Sequence, residues 1–213
     1  MAPITYDERL ERLLSTAAAV FAAKGFHPTT MRDLSRATGM SLAGMYYYVQ
    51  GKEELLALIQ ERCFQRVLEG AQGAVAQARG AQARLESFIR HHVTYFAEHM
   101  DEMKVLSHEA EVLSPERQRP INQLKRHYVG LLLDLLGDAF PAPDGRVDRR
   151  AAAYGLFGMM NWIYTWYDPD GAIAPDTLAR QFTELFLHGV APTGDRSGAS
   201  VSTSPQPARP AAR

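Results

Sequence analysis

The stretch from Thr29 to Leu55 admits one arrangement above all others: a short helix, a glycine turn, a second short helix and the start of a longer one. Thr30, with Asp33 three residues on, is a helix-start signal in which each residue can satisfy the other's backbone amide. Gly39 stands where a tight turn needs a residue free to take positive φ. Ser41 can cap the next helix, which runs into Tyr46, Tyr47 and Tyr48. Gly51 precedes Lys52-Glu53-Glu54, and the two acids suit the positive end of a helix. Leu34, Ala37 and Met40 can set the angle of the short pair by packing on a preceding helix. That helix is signalled by Leu10, Leu13, Leu14, Ala17, Val20 and Phe21 at helical spacing, with Thr5 and Glu8 at its start and Gly25 at its stop.

The rest of the chain also reads as helix, so the fold class is all-α with about nine helices. The long fourth helix runs to about Ala78. A fifth is expected near Gln82–His99 and a sixth near Asp101–Leu113. A seventh starts at Ser114-Pro115-Glu116 and runs to about Phe140, with Pro120 as a point for a kink. Pro141–Gly145 reads as a loop, Val147–Tyr167 as the eighth helix, and the ninth starts near Pro175 and runs to about Gly189. Strand-like alternation is sustained nowhere. The organisation is a three-helix head over residues 1–52, a connecting helix over about 52–78, a helical body within 53–191, and a tail over 192–213. The tail is rich in Ser, Pro, Ala and Arg without aromatics, and cannot bury enough surface to order itself.

Several function classes recede at this point. The longest apolar stretch, Ala151–Tyr167, is shorter than the ~20 residues a membrane span needs. No basic segment followed by an apolar core opens the chain. The lone Cys63 excludes an intrachain disulfide and lies on the apolar stripe Leu55, Ile59, Cys63, Val67, which suits a buried thiol and a reducing, cytoplasmic location. His91, His92, His99 and His108 form no compact ligand set, so no metal is expected. There is no nucleophile elbow and no phosphate-binding glycine loop, so neither an enzyme nor a cofactor is expected.

The head can place a helix in a DNA major groove with phosphate contacts on either side. The whole chain carries −1, so any charge for nucleic acid must be local; residues 1–52 carry +2 and the remainder −3. The third helix, about Leu42–Tyr48, is the candidate recognition helix, with Ser41, Leu42, Ala43 and Met45 toward base edges. It holds no Arg, Asn or Gln for bidentate base reading, so specificity leans on DNA shape and on Arg32 or Arg36. Tyr46 and Tyr47 suit phosphate through their hydroxyls, Lys52 through its charge, and Thr29 and Thr30 on the opposite flank. On that reading Lys52→Ala lowers the salt slope of binding by ~1.

Thr-Thr-Met-Arg-Asp-Leu, Ala-Thr-Gly-Met-Ser and Met-Tyr-Tyr-Tyr-Val-Gln-Gly-Lys-Glu-Glu-Leu together resemble the signature of TetR-type transcriptional repressors over about residues 10–60. The resemblance implies phosphate contacts at Thr30, Tyr46, Tyr47 and Lys52 and base contacts at the start of helix three. It also implies a homodimer on a palindromic double-stranded operator, released by a small effector. Two positions depart from the pattern: Val49 replaces a bulky aromatic, which should weaken packing beneath Tyr46, and Tyr48 replaces a common histidine.

In the body, Ala151–Tyr167 is apolar on nearly every face, and the ninth helix sets Leu178, Phe182, Leu185, Phe186 and Gly189 on one side. The resemblance implies that two such helices from each subunit form a four-helix interface. Gly158–Gly171 resembles the C-terminal motif of a TetR subgroup that responds to acyl-coenzyme A thioesters. That resemblance implies an apolar tunnel from Phe88, Tyr95, Phe96, Leu106, Leu132, Phe157 and Met160, with Asn161 donating to the thioester carbonyl. It places Trp162 and Trp166 against adenine or pantetheine, and Arg90, Lys125, Arg126 and Arg149 near phosphates. The rivals are a TetR-type regulator of an efflux gene sensing an aromatic drug, and a helical enzyme or scaffold that never touches DNA.

Overall fold

The computed structural model describes residues 5–109, 112–141 and 148–188. Among them the chain forms α1 (Tyr6–Lys24), α2 (Met31–Thr38), α3 (Leu42–Tyr46), α4 (Lys52–Gln77), α5 (Ala81–Glu98), α6 (Met100–His108), α7 (Pro115–Ala139), α8 (Arg149–Asn161) and α9 (Pro175–His188). No strand occurs among the described residues. The start signals act as local chemistry requires. Thr5 and Glu8 form a reciprocal capping box on α1, and Thr30 and Asp33 form one on α2. The Ser41 hydroxyl accepts the Gly44 N–H at 3.0 Å. Gly39 takes the left-handed conformation, φ 69°, between α2 and α3.

Two helix ends and one proline differ from expectation. α6 stops at His108, short of Leu113, because Glu109 is held from outside the helix. Its carboxylate accepts the Phe26 N–H at 3.0 Å and its carbonyl accepts from Gln60 Nε2 at 3.0 Å. α8 stops at Asn161 and tightens into a single 3-10 turn, Trp162–Thr165. The 3-10 turn carries the chain on to Trp166, so the expected end of the helix at Tyr167 is not reached in α-helical form. α7 is continuous through Pro120; the Glu116 carbonyl that loses a partner there lies on an exposed residue. Most of the Pro141–Gly145 loop, the far end of α9 at Gly189 and the 192–213 tail lie outside the described residues.

Two apolar cores result, and α4 enters both. Leu55, Leu56 and Ile59 complete the head core with Leu13, Phe21, Leu34, Met45 and Val49. Further along the same helix, Cys63, Val67, Ala71 and Val75 join Phe88, Val93, Leu132, Leu156 and Phe182 in the body. Val105 of α6 and Ile121 of α7 reach into the head core. The head therefore rests on three helices of the body rather than hanging from one. Glu11 of α1 pairs with both Arg62 and Arg66 of α4 on the outer side of this joint. No helix of the described residues is long and apolar enough to cross a membrane.

Candidate functional site

The head presents an exposed face built from α2, α3 and the residues that follow. Thr30, Arg32, Arg36, Ser41, Ala43, Tyr46 and Tyr47 are exposed on it, and Leu42 is half-buried. Tyr46 and Tyr47 are 53% and 73% exposed, far beyond what packing alone would leave for so large an apolar ring. Met45 is fully buried and packs in the head core, so it does not reach base edges. It stands two residues on from Ala43, roughly 200° around the helix, so it turns inward where Ala43 turns out. Thr29 is also buried, and its hydroxyl donates to the Gly25 carbonyl at 2.6 Å, closing the α1 exit turn.

Lys52 departs most from expectation. Its ammonium donates to the carbonyls of Phe26 at 2.9 Å, His27 at 2.9 Å and Thr29 at 3.0 Å, and lies 4.4 Å from the Phe26 ring centroid. An ammonium has three protons, and all three are engaged inside the head. The Thr30 hydroxyl is likewise tied to Asp33, accepting its N–H and donating to its carboxylate at 2.8 Å. Asp33 holds Lys24 at 2.7 Å and Arg36 at 2.5 Å. The Lys24 ammonium, then the Thr30 donors, keep its carboxyl well below the usual carboxylate range. Arg32 is exposed, and no carboxylate among the described residues lies within ion-pair distance of it. Arg32→Ala should therefore lower the salt slope of DNA binding by ~1, with a smaller change for Arg36→Ala, whose charge Asp33 shares. Salt-titrated fluorescence anisotropy measures both, and an unchanged slope removes Arg32 from the phosphate contacts.

Sequence reasoning missed Tyr6. Its ring stacks on Tyr48 at 4.8 Å and meets the Tyr47 ring edge-on at 6.1 Å. This cluster braces the exposed tyrosines from α1. Val49 is buried in the core, and Tyr48 supplies aromatic support on the outer side instead. The only sequence signal for Tyr6 was an aromatic in the first turn of α1, off its apolar stripe.

The body encloses a cavity of about 380 Å³ between α4, α5, α6, α7 and α8. Phe64, Val67, Phe96, Met103, Leu106 and Phe157 supply apolar wall, and His92, Ser107, Lys125, Tyr128, Tyr154 and Asn161 supply polar groups. A volume of this order, with apolar wall and convergent polar groups, is what small-molecule sites show. Of the residues expected to hold a ligand, Phe96, Phe157 and Asn161 line it, joined by Leu106 and Lys125 from the wider set. Arg90 is exposed and pairs with Asp176 at 3.3 Å. Tyr95 is turned one residue away from Phe96, its hydroxyl donating to Glu102 at 3.2 Å beside Cys63. Met160, Phe88 and Leu132 are fully packed in the core and lie outside the lining. Trp162 and Trp166 are 60% and 53% exposed on the outer surface, and Arg126 and Arg149 are exposed away from the cavity wall.

His92 and Tyr128 were not anticipated. His92 is buried, with Nδ1 2.9 Å from the Tyr128 hydroxyl and Nε2 3.0 Å from Asn161 Oδ1. Burial, against the favourable Asn161 bond, pulls its pKa down to about 3. The signal in the sequence was spacing: His92 stands four residues from both Phe88 and Phe96, on one face of α5. His91 faces the other way, against Gly70 of α4, where it leaves no room for a Cβ. Burial lowers its pKa as well. Among the described residues no group of three His, Cys, Asp or Glu side chains could hold a metal.

A helix-turn-helix head seated on a helical body with its own ligand-sized cavity is the architecture of a DNA-binding transcriptional regulator. Residues 13–59 match the family described as bacterial regulatory proteins, tetR family, and residues 78–190 match the Tetracyclin repressor-like C-terminal domain. The chain belongs to the TetR family of transcriptional regulators, a family of regulators rather than enzymes. It is 26% identical to the HTH-type transcriptional repressor KstR2 of Rhodococcus jostii, over 86% of this chain and 91% of the relative. Among solved structures it resembles a TetR-family transcriptional regulator from Bordetella parapertussis, with TM-score 0.81, 26% identity, and 87% and 97% of the two chains covered. It is also similar to AibR in complex with isovaleryl coenzyme A and operator DNA, with TM-score 0.73, 27% identity, and 84% and 97% covered.

Proposed function

We propose that the chain is a homodimeric repressor of a palindromic operator, acting in the cytoplasm and released when an acyl-coenzyme A thioester enters the body cavity. The observation that carries this reading is the cavity itself: an apolar chamber with a hydrogen-bonded Asn161 in its wall. An acyl chain suits the apolar part, and a carbonyl suits the Asn161 amide. The likeness to AibR, solved with isovaleryl coenzyme A and operator DNA, supports the same ligand class. The nucleotide end exceeds the chamber, and the Lys125 ammonium in the chamber wall, 5.0 Å from the Phe64 ring, can meet negative charge there.

Coupling follows from α6. One face, Met103, Leu106 and Ser107, lines the cavity, while Val105 enters the head core and Glu109 holds Phe26. A ligand that displaces the first face moves the second, so it favours a state with the heads differently set. The exposed apolar residues Tyr154, Trp162, Trp166 and Leu185 lie on α8, the turn after it and α9, and support dimerisation there.

Octanoyl and isovaleryl coenzyme A, titrated into a complex with upstream intergenic DNA, should weaken binding at least tenfold. Tight thioester binding with unchanged DNA affinity would overturn the coupling, and release by an aromatic drug alone would favour the efflux-type regulator. Glu109→Ala should keep thioester affinity while reducing the ligand-induced loss of DNA affinity by roughly fivefold or more. Equal loss in variant and parent would remove Glu109 from the coupling path.

A further inference from the structure

The Tyr128–His92–Asn161 chain has a direction, and it follows from which atoms can give protons. Asn161 Oδ1 can only accept, so the hydrogen between it and His92 Nε2 sits on Nε2. A neutral imidazole has one N–H, so Nδ1 is bare and accepts the Tyr128 O–H. Burial keeps the ring neutral through the physiological range. Rotating the Asn161 amide by half a turn would set its NH₂ against the His92 N–H. In this tautomer Tyr128 anchors one edge of the His92 ring and the opposite edge anchors the Asn161 amide. The Asn161 Nδ2 is the far side of the same amide, in a residue that lines the cavity with Phe96, Phe157 and Met103. No protein acceptor for Nδ2 occurs among the described residues.

We propose that Tyr128 and His92 are positioning residues that lock Asn161 as a hydrogen-bond donor, so that the cavity selects ligands whose apolar chain carries a carbonyl. This rests on the reading of the cavity as an acyl-thioester site and adds what discriminates within it. A ligand with the same chain and no carbonyl forgoes the hydrogen bond that the Asn161 amide offers at the cavity wall, and so loses what that bond contributes. A group that only donates, such as an ammonium, meets donors and is refused.

The test uses two matched pairs on the full chain. Octanoyl coenzyme A and its thioether, S-octyl coenzyme A, differ only at the carbonyl. Octanoyl-N-acetylcysteamine and S-octyl-N-acetylcysteamine differ in the same way without the nucleotide. Wild type should prefer each thioester by at least about tenfold, and Asn161→Ala should lose that preference while binding the thioethers as before. In Tyr128→Phe the preference should fall several-fold at unchanged thioether affinity. The infrared stretch of the ¹³C-labelled bound carbonyl should move toward its free value, a change that mere loss of packing does not produce. His92→Leu should act like Asn161→Ala. If wild type binds thioester and thioether equally in both pairs, or binds neither thioester better, carbonyl selection is overturned. If Tyr128→Phe weakens thioester and thioether alike, the positioning role is overturned. A preference kept by the N-acetylcysteamine pair and absent from the coenzyme A pair would sink the coenzyme A reading while supporting the inference.

Discussion

Lys52→Met should lower the stability of the head by about 2 kcal/mol and weaken binding to every DNA sequence, with no stepwise change in the salt slope. Methionine keeps the length of the stem and its contact with the Phe26 ring. It removes the donor from three carbonyls, those of Phe26, His27 and Thr29, at 2.9, 2.9 and 3.0 Å. A hydrogen bond to a charged group contributes about 1.5–3 kcal/mol; Lys52 is half-buried, so water replaces part of that. The three carbonyls belong to the turn that joins α1 to α2. Loosening it frees the angle at which α2 and α3 meet DNA. A phosphate contact predicts the opposite pair of results: unchanged melting temperature and a salt slope lower by ~1. Thermal unfolding beside salt-titrated anisotropy separates the two, and the second outcome would return Lys52 to the DNA face.

Acidification should destabilise the protein before its carboxylates titrate. His92 has an ordinary pKa near 6.5 when unfolded and about 3 when folded. Between those values the unfolded chain takes up a proton that the folded chain refuses. Stability is thus intact above about pH 6.5 and falls as the pH drops toward 3, by about 1.4 kcal/mol for each unit. From pH 7 to pH 5 the expected loss is about 2 kcal/mol from His92. His91, whose pKa burial also lowers, acts in the same direction. The groups facing His92 are the Tyr128 hydroxyl and the Asn161 amide, with His91 beside it on α5, and none supplies a carboxylate to hold a charged ring. Urea unfolding at pH 7 and pH 5 measures the slope. His92→Leu should flatten most of it, and an undiminished slope in that variant would assign the acid loss elsewhere. Asp33 and Glu8, whose pKa values are lowered, act only at lower pH.

Much of the head was readable because its signals are short-range. A Thr that bonds a backbone amide three residues on, or a Gly that allows a left-handed turn, acts within one helical turn. The placements of Thr5, Gly25, Thr30, Gly39 and Ser41 as caps and turns follow from such signals. The end of α6 was not readable, since Phe26 and Gln60, remote in the chain, hold Glu109. Of the ligand residues that the resemblance implied, Phe96, Phe157 and Asn161 lie on the lining of the cavity, while Trp162 and Trp166 lie outside. The turn after Asn161 tightens there, and the helical register that would have carried both indoles on one face does not persist.

The order of helices, the helix-turn-helix unit and the family were determined by the sequence itself, because caps, turns and the 3.6-residue apolar period each act over a few neighbours. Which donors remain free was decided only in the tertiary structure. Lys52 is engaged by carbonyls 23 to 26 residues away, and His92 by partners 36 and 69 residues away. A side chain's hydrogen-bonding capacity is a property of its residue type. Whether that capacity faces DNA, a ligand or the protein's own backbone depends on what folding brings beside it.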